Sequence, residues 1–333
     1  MLKNRILTAS LLAPLIIAAI LFLPPDGFAL LWGAIILLGA FEWAGLSGLK
    51  GSAKVAFIGG VLGLMVAART FALSWAAGEL PIWFYAPVII WWAAWAMAFR
   101  RIPEKLVEQK FSSASRAVSG VFVLVSGWIM MVWLRLNFSE YQVLYLVLLI
   151  WVADIAAYFV GKRWGFTKLV MAISPNKTIE GVYGALVAAV LFAVPIGFLV
   201  GLDKLALVDF VFLSLLTVAF SVCGDLFESL MKRVCGVKDS GGLLPGHGGV
   251  LDRIDSLLSG VAIFYVGSLL IPIFLQLGPS LEPELILQSD EDITMESEPA
   301  EHHHDGPMAV PGEADEMAPP AEDEADSIGQ EAK

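Results

Sequence analysis

Nine stretches of about twenty mostly apolar residues recur along the chain, at about 6–24, 27–46, 54–73, 81–98, 118–136, 142–160, 181–201, 206–224 and 257–278. A bilayer's hydrocarbon core is roughly 30 Å thick, which about 20 residues of α-helix can cross. Unpaired backbone amides are not tolerated in lipid, so only helices and closed barrels span it. The blocks are continuous rather than alternating in hydropathy, which argues against barrel strands. They predict an all-α, polytopic integral membrane protein with about nine transmembrane helices. Composition agrees, with 58% hydrophobic and only 16% charged residues, against about a quarter charged in soluble domains. Trp91, Trp92, Trp95 and Trp133 gather near block ends, as interfacial belts do. The first block follows Lys3 and Arg5, as a secretion signal would, but Pro24-Pro25-Asp26 follows it instead of a small-residue cleavage site. It is expected to remain as the first helix.

The formal net charge of −11 hides two opposite parts. Residues 280–333 hold 17 acidic side chains and one basic one, Lys333, while the other 279 residues hold 20 Lys and Arg against 15 Asp and Glu. The division predicts a transmembrane domain over 1–278, its catalytic part over about 142–278, and an acidic tail over 279–333. The tail has too little apolar surface to fold alone and is expected to be disordered. His302, His303 and His304 lie in it and read first as a solvated polar run. Cys223 and Cys235 are too few for a disulfide framework and are expected to be free thiols. The mildly basic body suits anionic lipid headgroups and phosphates; no nucleic-acid partner is expected.

Orientation follows from the same charges. With the N-terminus inside, Lys3, Arg5, Lys50, Lys54 and the 99–117, 161–180 and 225–256 segments share the cytoplasmic side and carry 17 of the 21 Lys and Arg, as the positive-inside rule requires. Nine spans then leave the acidic tail outside.

Two of these inside segments carry more than connection demands. From 225 to 256, Asp225, Ser229 and Lys232 fall at helical spacing on one face, as do Asp252, Asp255 and Ser259 if the last helix begins near Leu251. Two carboxylate-bearing faces around a glycine-rich turn make a candidate divalent-cation cage, since Mg²⁺ takes carboxylates with phosphate oxygens and water. The glycines would let backbone N–H groups approach phosphates, and Lys232, Arg233, Lys238 and Arg253 would neutralise a triphosphate. An ordinary solvated connector is the bland alternative. In the other segment, Asp154 is an acid inside an apolar span, a costly placement that is usually functional. Tyr158 and Lys162 follow on its side. Then Ser174, Lys177 and Thr178 offer donors to phosphate or headgroup, although Thr178 could instead cap the next helix. Glu42 and Arg69 read as a structural pair between the second and third helices.

The stretch Ser229 to Asp255 resembles the signature of phosphatidate cytidylyltransferases, also called CDP-diacylglycerol synthases: Ser229, Lys232-Arg233, Lys238-Asp239, Pro245-Gly246-His247-Gly248-Gly249, then Asp252-Arg253 and Asp255, thirteen positions in 27 residues. The Ser174–Gly181 and Asp154–Gly161 segments also look like this family, and the likeness covers roughly 1–278. It implies transfer of CMP from CTP to phosphatidic acid, giving CDP-diacylglycerol and pyrophosphate in phospholipid biosynthesis, at a bacterial-type inner membrane with the site facing the cytoplasm. It further implies Mg²⁺, with room for a second cation, and a homodimer. Asp225, Asp252 and Asp255 would be metal ligands, with Asp239 next. Lys232, Arg233, Lys238 and Arg253 would hold phosphates, and His247 would donate to phosphate, act as an acid or merely brace the glycine turn. Ser174, Asn176, Lys177, Thr178 and Ser229 would complete the substrate pocket. A CTP-dependent lipid-alcohol kinase is the nearest rival, and a membrane transporter a more distant one.

Overall fold

A computed structural model describes residues 2–74, 80–243 and 248–270; the acidic tail and His247 lie outside the described residues. Every described element falls within Met1–Ser280. In chain order they are α1 (Leu2–Phe22), α2 (Pro25–Leu46), α3 (Gly51–Ser74), α4 (Ile82–Arg101), α5 (Pro103–Glu108), α6 (Ser113–Asn137), α7 (Glu140–Trp164), β1 (Lys168–Val170), β2 (Ser174–Thr178), α8 (Ile179–Leu199), α9 (Lys204–Val234) and α10 (Leu251–Leu270). Among the described residues eight helices, α2, α3, α4 and α6 to α10, are long and apolar enough to cross a membrane, and α1 adds the apolar stretch Ser10–Phe22. The expected spans are therefore helical wherever they are described. Large apolar side chains such as Leu191, Phe198 and Leu205 point outward. Water would penalise that surface; lipid does not.

α10 is the middle of the bundle and packs on α2, α4, α6, α7 and α9. Its Val261, Ala262, Phe264 and Tyr265 are fully buried. Close packing of helices in lipid depends on small residues at the contact, and three glycines supply it here. A Cβ on Gly260 would meet Ile150 at 2.6 Å, and one on Gly127 would meet Leu258 at 2.5 Å. At Gly224 of α9 a Cβ would overlap Ser259 Oγ and lie 2.5 Å from the Asp255 carbonyl of α10. The α9–α10 contact is thus tightest one residue before Asp225. α9 has 31 residues, roughly 46 Å at 1.5 Å per residue. It therefore outruns a bilayer core and carries Asp225 to Arg233 toward its edge.

One element is added to the expected helices and one expectation needs correction. Within the 161–180 segment, β1 and β2 form an antiparallel hairpin with Lys168 opposite Thr178 and Val170 opposite Ser174. Strands this short carry no hydropathy signal, and Pro175 hides the second. Arg69 pairs with Asp26 at the start of α2 and not with Glu42, because Glu42 sits about four and a half turns further along the same helix. Thr178 is the N-cap of α8, its hydroxyl accepting from Gly181 N–H at 3.1 Å, so its capping reading holds.

Gly224→Val is expected to wedge α9 from α10 and cost about 1–3 kcal/mol, as overpacking does. Gly45→Ala, at a site with nothing within 4 Å, should leave stability level or slightly raised. Thermal melts of detergent-purified protein would show the difference; equal midpoints for Gly224→Val and wild type would contradict the crossing.

Candidate active site

The last three turns of α9 and the first turn of α10 hold one connected set of charges. Lys232 Nζ donates to Glu228 Oε2 at 2.5 Å, one turn back on α9, and to Asp252 Oδ1 at 2.6 Å on α10. The three side chains are almost fully enclosed, at 10%, 2% and 7% exposure. Asp252 Oδ2 accepts from the backbone N–H groups of Gly249 at 2.8 Å and Ser240 at 3.1 Å. An acid in the first turn of α10 and basic residues in the last turn of α9 both suit the helix dipoles. Asp225 accepts from Ser229 Oγ at 3.2 Å on the same helical face. Asp255 adjoins the carboxyls of Asp225 and Glu228 across the Gly224 crossing.

The hairpin brings a second lysine. Lys177 of β2 reaches Asp225 Oδ2 at 2.5 Å, with about a quarter of its side chain exposed. Burial disfavours its charged form, but Asp225, then Asp154 and Asp255, hold the ammonium above the usual lysine range. A raised value means the charge persists through neutral pH. Any stability that it contributes is present at neutral pH and lost only as strong alkali removes the proton. Asp154 of α7 is exposed, yet lies within electrostatic reach of Lys177, Asp225 and Arg253. Arg233 fastens the hairpin to α9 by donating to the Ile173 carbonyl at 3.1 Å, and also donates to the Val237 carbonyl at 3.2 Å.

The sequence-predicted residues therefore divide. Asp225, Ser229, Lys232, Asp252, Asp255 and Lys177 come together. Lys238, Asp239, Arg253 and Asn176 are exposed at the rim, and Ser174 is half-buried in β2. Arg233 spends two of its donors on backbone, and Thr178 is committed to its cap. Three amides after the glycine-rich turn are already taken: the Gly249 N–H goes to Asp252, and those of Val250 and Leu251 go to Glu42 at 3.1 and 2.8 Å. Gly248 does need its glycine, with φ at +86°. Glu228 and Glu42 carry bonds that motif reading missed. Each is an acid inside an apolar helix, the same signal that singled out Asp154, and Glu228 also precedes Lys232 by one turn.

The donors suit a hard divalent cation in kind, being carboxylate oxygens, and the buried Glu228 carboxyl lies against that of Asp255. Among the described residues no three His, Cys, Asp or Glu side chains form a ready cation cage; lysines sit on Asp225 and Asp252 instead.

The family model described as "Cytidylyltransferase family" matches residues 3–270. The chain belongs to this cytidylyltransferase family. Among similar proteins, the phosphatidate cytidylyltransferase of Pseudomonas aeruginosa is 38% identical over 266 residues, covering 79% of this chain and 96% of its own. That of Haemophilus influenzae is 36% identical over 300 residues, covering 79% and 97%, and that of Helicobacter pylori is 33% identical over 270, covering 79% and 91%. The matched region contains every residue of the charge set, so the lysine–carboxylate network lies inside the cytidylyltransferase body.

Lys232→Met would leave Glu228 and Asp252 as buried, uncompensated acids, a change that costs about 3–5 kcal/mol. A large fall in melting temperature is expected, restored in part by adding Glu228→Gln. A Lys232→Met protein as stable as wild type would mean that the triad is not the buried linkage described.

Proposed function

We propose that this cytidylyltransferase moves CMP from CTP to phosphatidic acid, giving CDP-diacylglycerol and pyrophosphate. We also propose that it works from the cytoplasmic face of a bacterial-type inner membrane. The observation that carries the reading is the convergence of Lys177, Lys232, Asp225, Asp252 and Asp255 from three elements at the end of long apolar helices. There a lipid phosphate and a water-borne nucleotide can meet. The excess of Lys and Arg in the segments at that end supports the cytoplasmic assignment.

In the reaction a phosphate oxygen of phosphatidic acid attacks the α-phosphorus of CTP. The new P–O bond forms as the α–β bridging bond breaks, and the electron pair leaves with pyrophosphate. The nucleophile is already an anion, so no side chain has to remove a proton. The work is positioning and charge neutralisation between two polyanions. Lys177 and Lys232 are the inner cations, and Lys238 and Arg253 guard the open rim. Asp225 fixes Lys177 by direct contact, with Asp154 in electrostatic reach of it, and Asp252 fixes Lys232 against α10. Asp225, Asp252 and Asp255 would hold Mg²⁺, which when bound supplies charge neutralisation on the phosphates and the leaving pyrophosphate.

Proteoliposomes given phosphatidic acid, Mg²⁺ and CTP labelled at the α-phosphate should accumulate label in the lipid extract, with pyrophosphate released in equal amount. Label entering lipid only from γ-labelled CTP would favour the lipid-alcohol kinase instead. Asp252→Asn should slow transfer roughly 100-fold or more; full activity in that variant would overturn the role given to this carboxylate.

A further inference from the structure

Glu42 lies on α2, an otherwise apolar helix outside the signature stretch, and its side chain is buried at 4% exposure. A carboxylate there is expensive unless it is bonded or paired. Among the described residues it has no ion-pair partner, but three donors converge on it. Val250 N–H reaches Oε1 at 3.1 Å, Leu251 N–H reaches Oε2 at 2.8 Å, and Ser240 Oγ reaches Oε2 at 3.0 Å. Both oxygens act as acceptors, the bonding pattern of a carboxylate. A Cβ at Gly241 or Gly249 would overlap the Glu42 carboxylate. These two glycines thus admit an acid from another helix.

The same loop is held from its other side by Asp252. Ser240 gives its hydroxyl to Glu42 and its N–H to Asp252, while the N–H of Gly249 goes to Asp252 and the next two go to Glu42. Two carboxylates therefore clamp both ends of the 240–249 loop and take up three successive amides at the N-terminus of α10. These amides are otherwise a ready anion site. With them filled, these three are closed to a nucleotide phosphate, and the direction of Asp252 depends on where the loop is pinned.

We propose that Glu42 is a positioning residue for CMP transfer: it anchors the glycine-rich loop and the start of α10 so that Asp252 keeps its alignment with Lys232. The inference rests on the CMP-transfer reading. Glu42→Gln keeps the volume but turns an NH₂ donor toward the loop's own donors. Relative to wild type, kcat per folded molecule, with the folded fraction taken from size-exclusion chromatography, should fall roughly tenfold or more, as displacement of a reacting geometry by a fraction of an ångström does. The KM for phosphatidic acid should stay within about threefold, because Glu42 touches neither substrate in the arrangement described. Ser240→Ala removes one of the three bonds and should lower kcat by a few-fold, the scale of one net hydrogen bond. In the double variant the two effects should be less than additive. Unchanged kcat per folded molecule in Glu42→Gln, or in Ser240→Ala if Glu42→Gln does not fold, would overturn the inference. Wild-type protein that moves no α-label would instead defeat the CMP-transfer reading, so the two failures are distinguishable.

Discussion

A lysine ammonium enclosed between two carboxylates at the edge of a lipid-facing bundle is the arrangement on which the site depends. Lys232 bridges Glu228 on its own helix and Asp252 on the next. None of the three could be left alone there: desolvating a single charge costs several kcal/mol, and neutralisation by a close partner is what makes burial tolerable. The bridge ties the end of α9 to the start of α10, and through Asp252 it reaches the glycine-rich loop. Direct contact of the two helices is possible because Gly224 lacks a side chain. A larger residue there would separate Asp225 from Asp255 as well as loosen the packing.

The charges are mixed in sign for a chemical reason. A reaction between two phosphates must overcome their repulsion, which calls for cations, yet a cluster of bare cations at a membrane edge would be no more stable than a cluster of acids. Each lysine here is therefore stored on a carboxylate, Lys177 on Asp225 and Lys232 on Asp252. In the proposed reaction an arriving phosphate would offer the lysines an alternative anion and would leave the carboxylates free for a cation. Arg233 donates to the Ile173 and Val237 carbonyls and so keeps the hairpin on α9.

The helices were legible in the sequence because lipid imposes one simple demand, a continuous apolar block of fixed length. The face shared by Asp225, Ser229 and Lys232 was legible from helical spacing, and the start of α10 at Leu251 from the polarity change there. What escaped was contact between segments far apart in the chain. Glu42 and Leu251 are 209 residues apart, and nothing local to Glu42 marks its partner. Arg69 was a reasonable partner by charge alone, but position along α2 gave it to Asp26. The hairpin escaped because three- and five-residue strands beside a proline have no period to detect. The glycines at 241 and 249 suggested a phosphate cradle by composition, whereas the space they leave admits the Glu42 carboxylate.

Equilibrium binding of labelled CTP to the purified protein bears most directly on whether the lysine–carboxylate set is the nucleotide site. Lys177→Gln, which removes the cationic member of the pair with Asp225, should weaken binding by roughly tenfold or more, the scale of a lost charge-assisted contact. Lys105→Gln, on the short helix α5 outside that charge set, should bind as wild type does. Equal affinity for CTP in wild type and Lys177→Gln would contradict the placement of the nucleotide at this charge set.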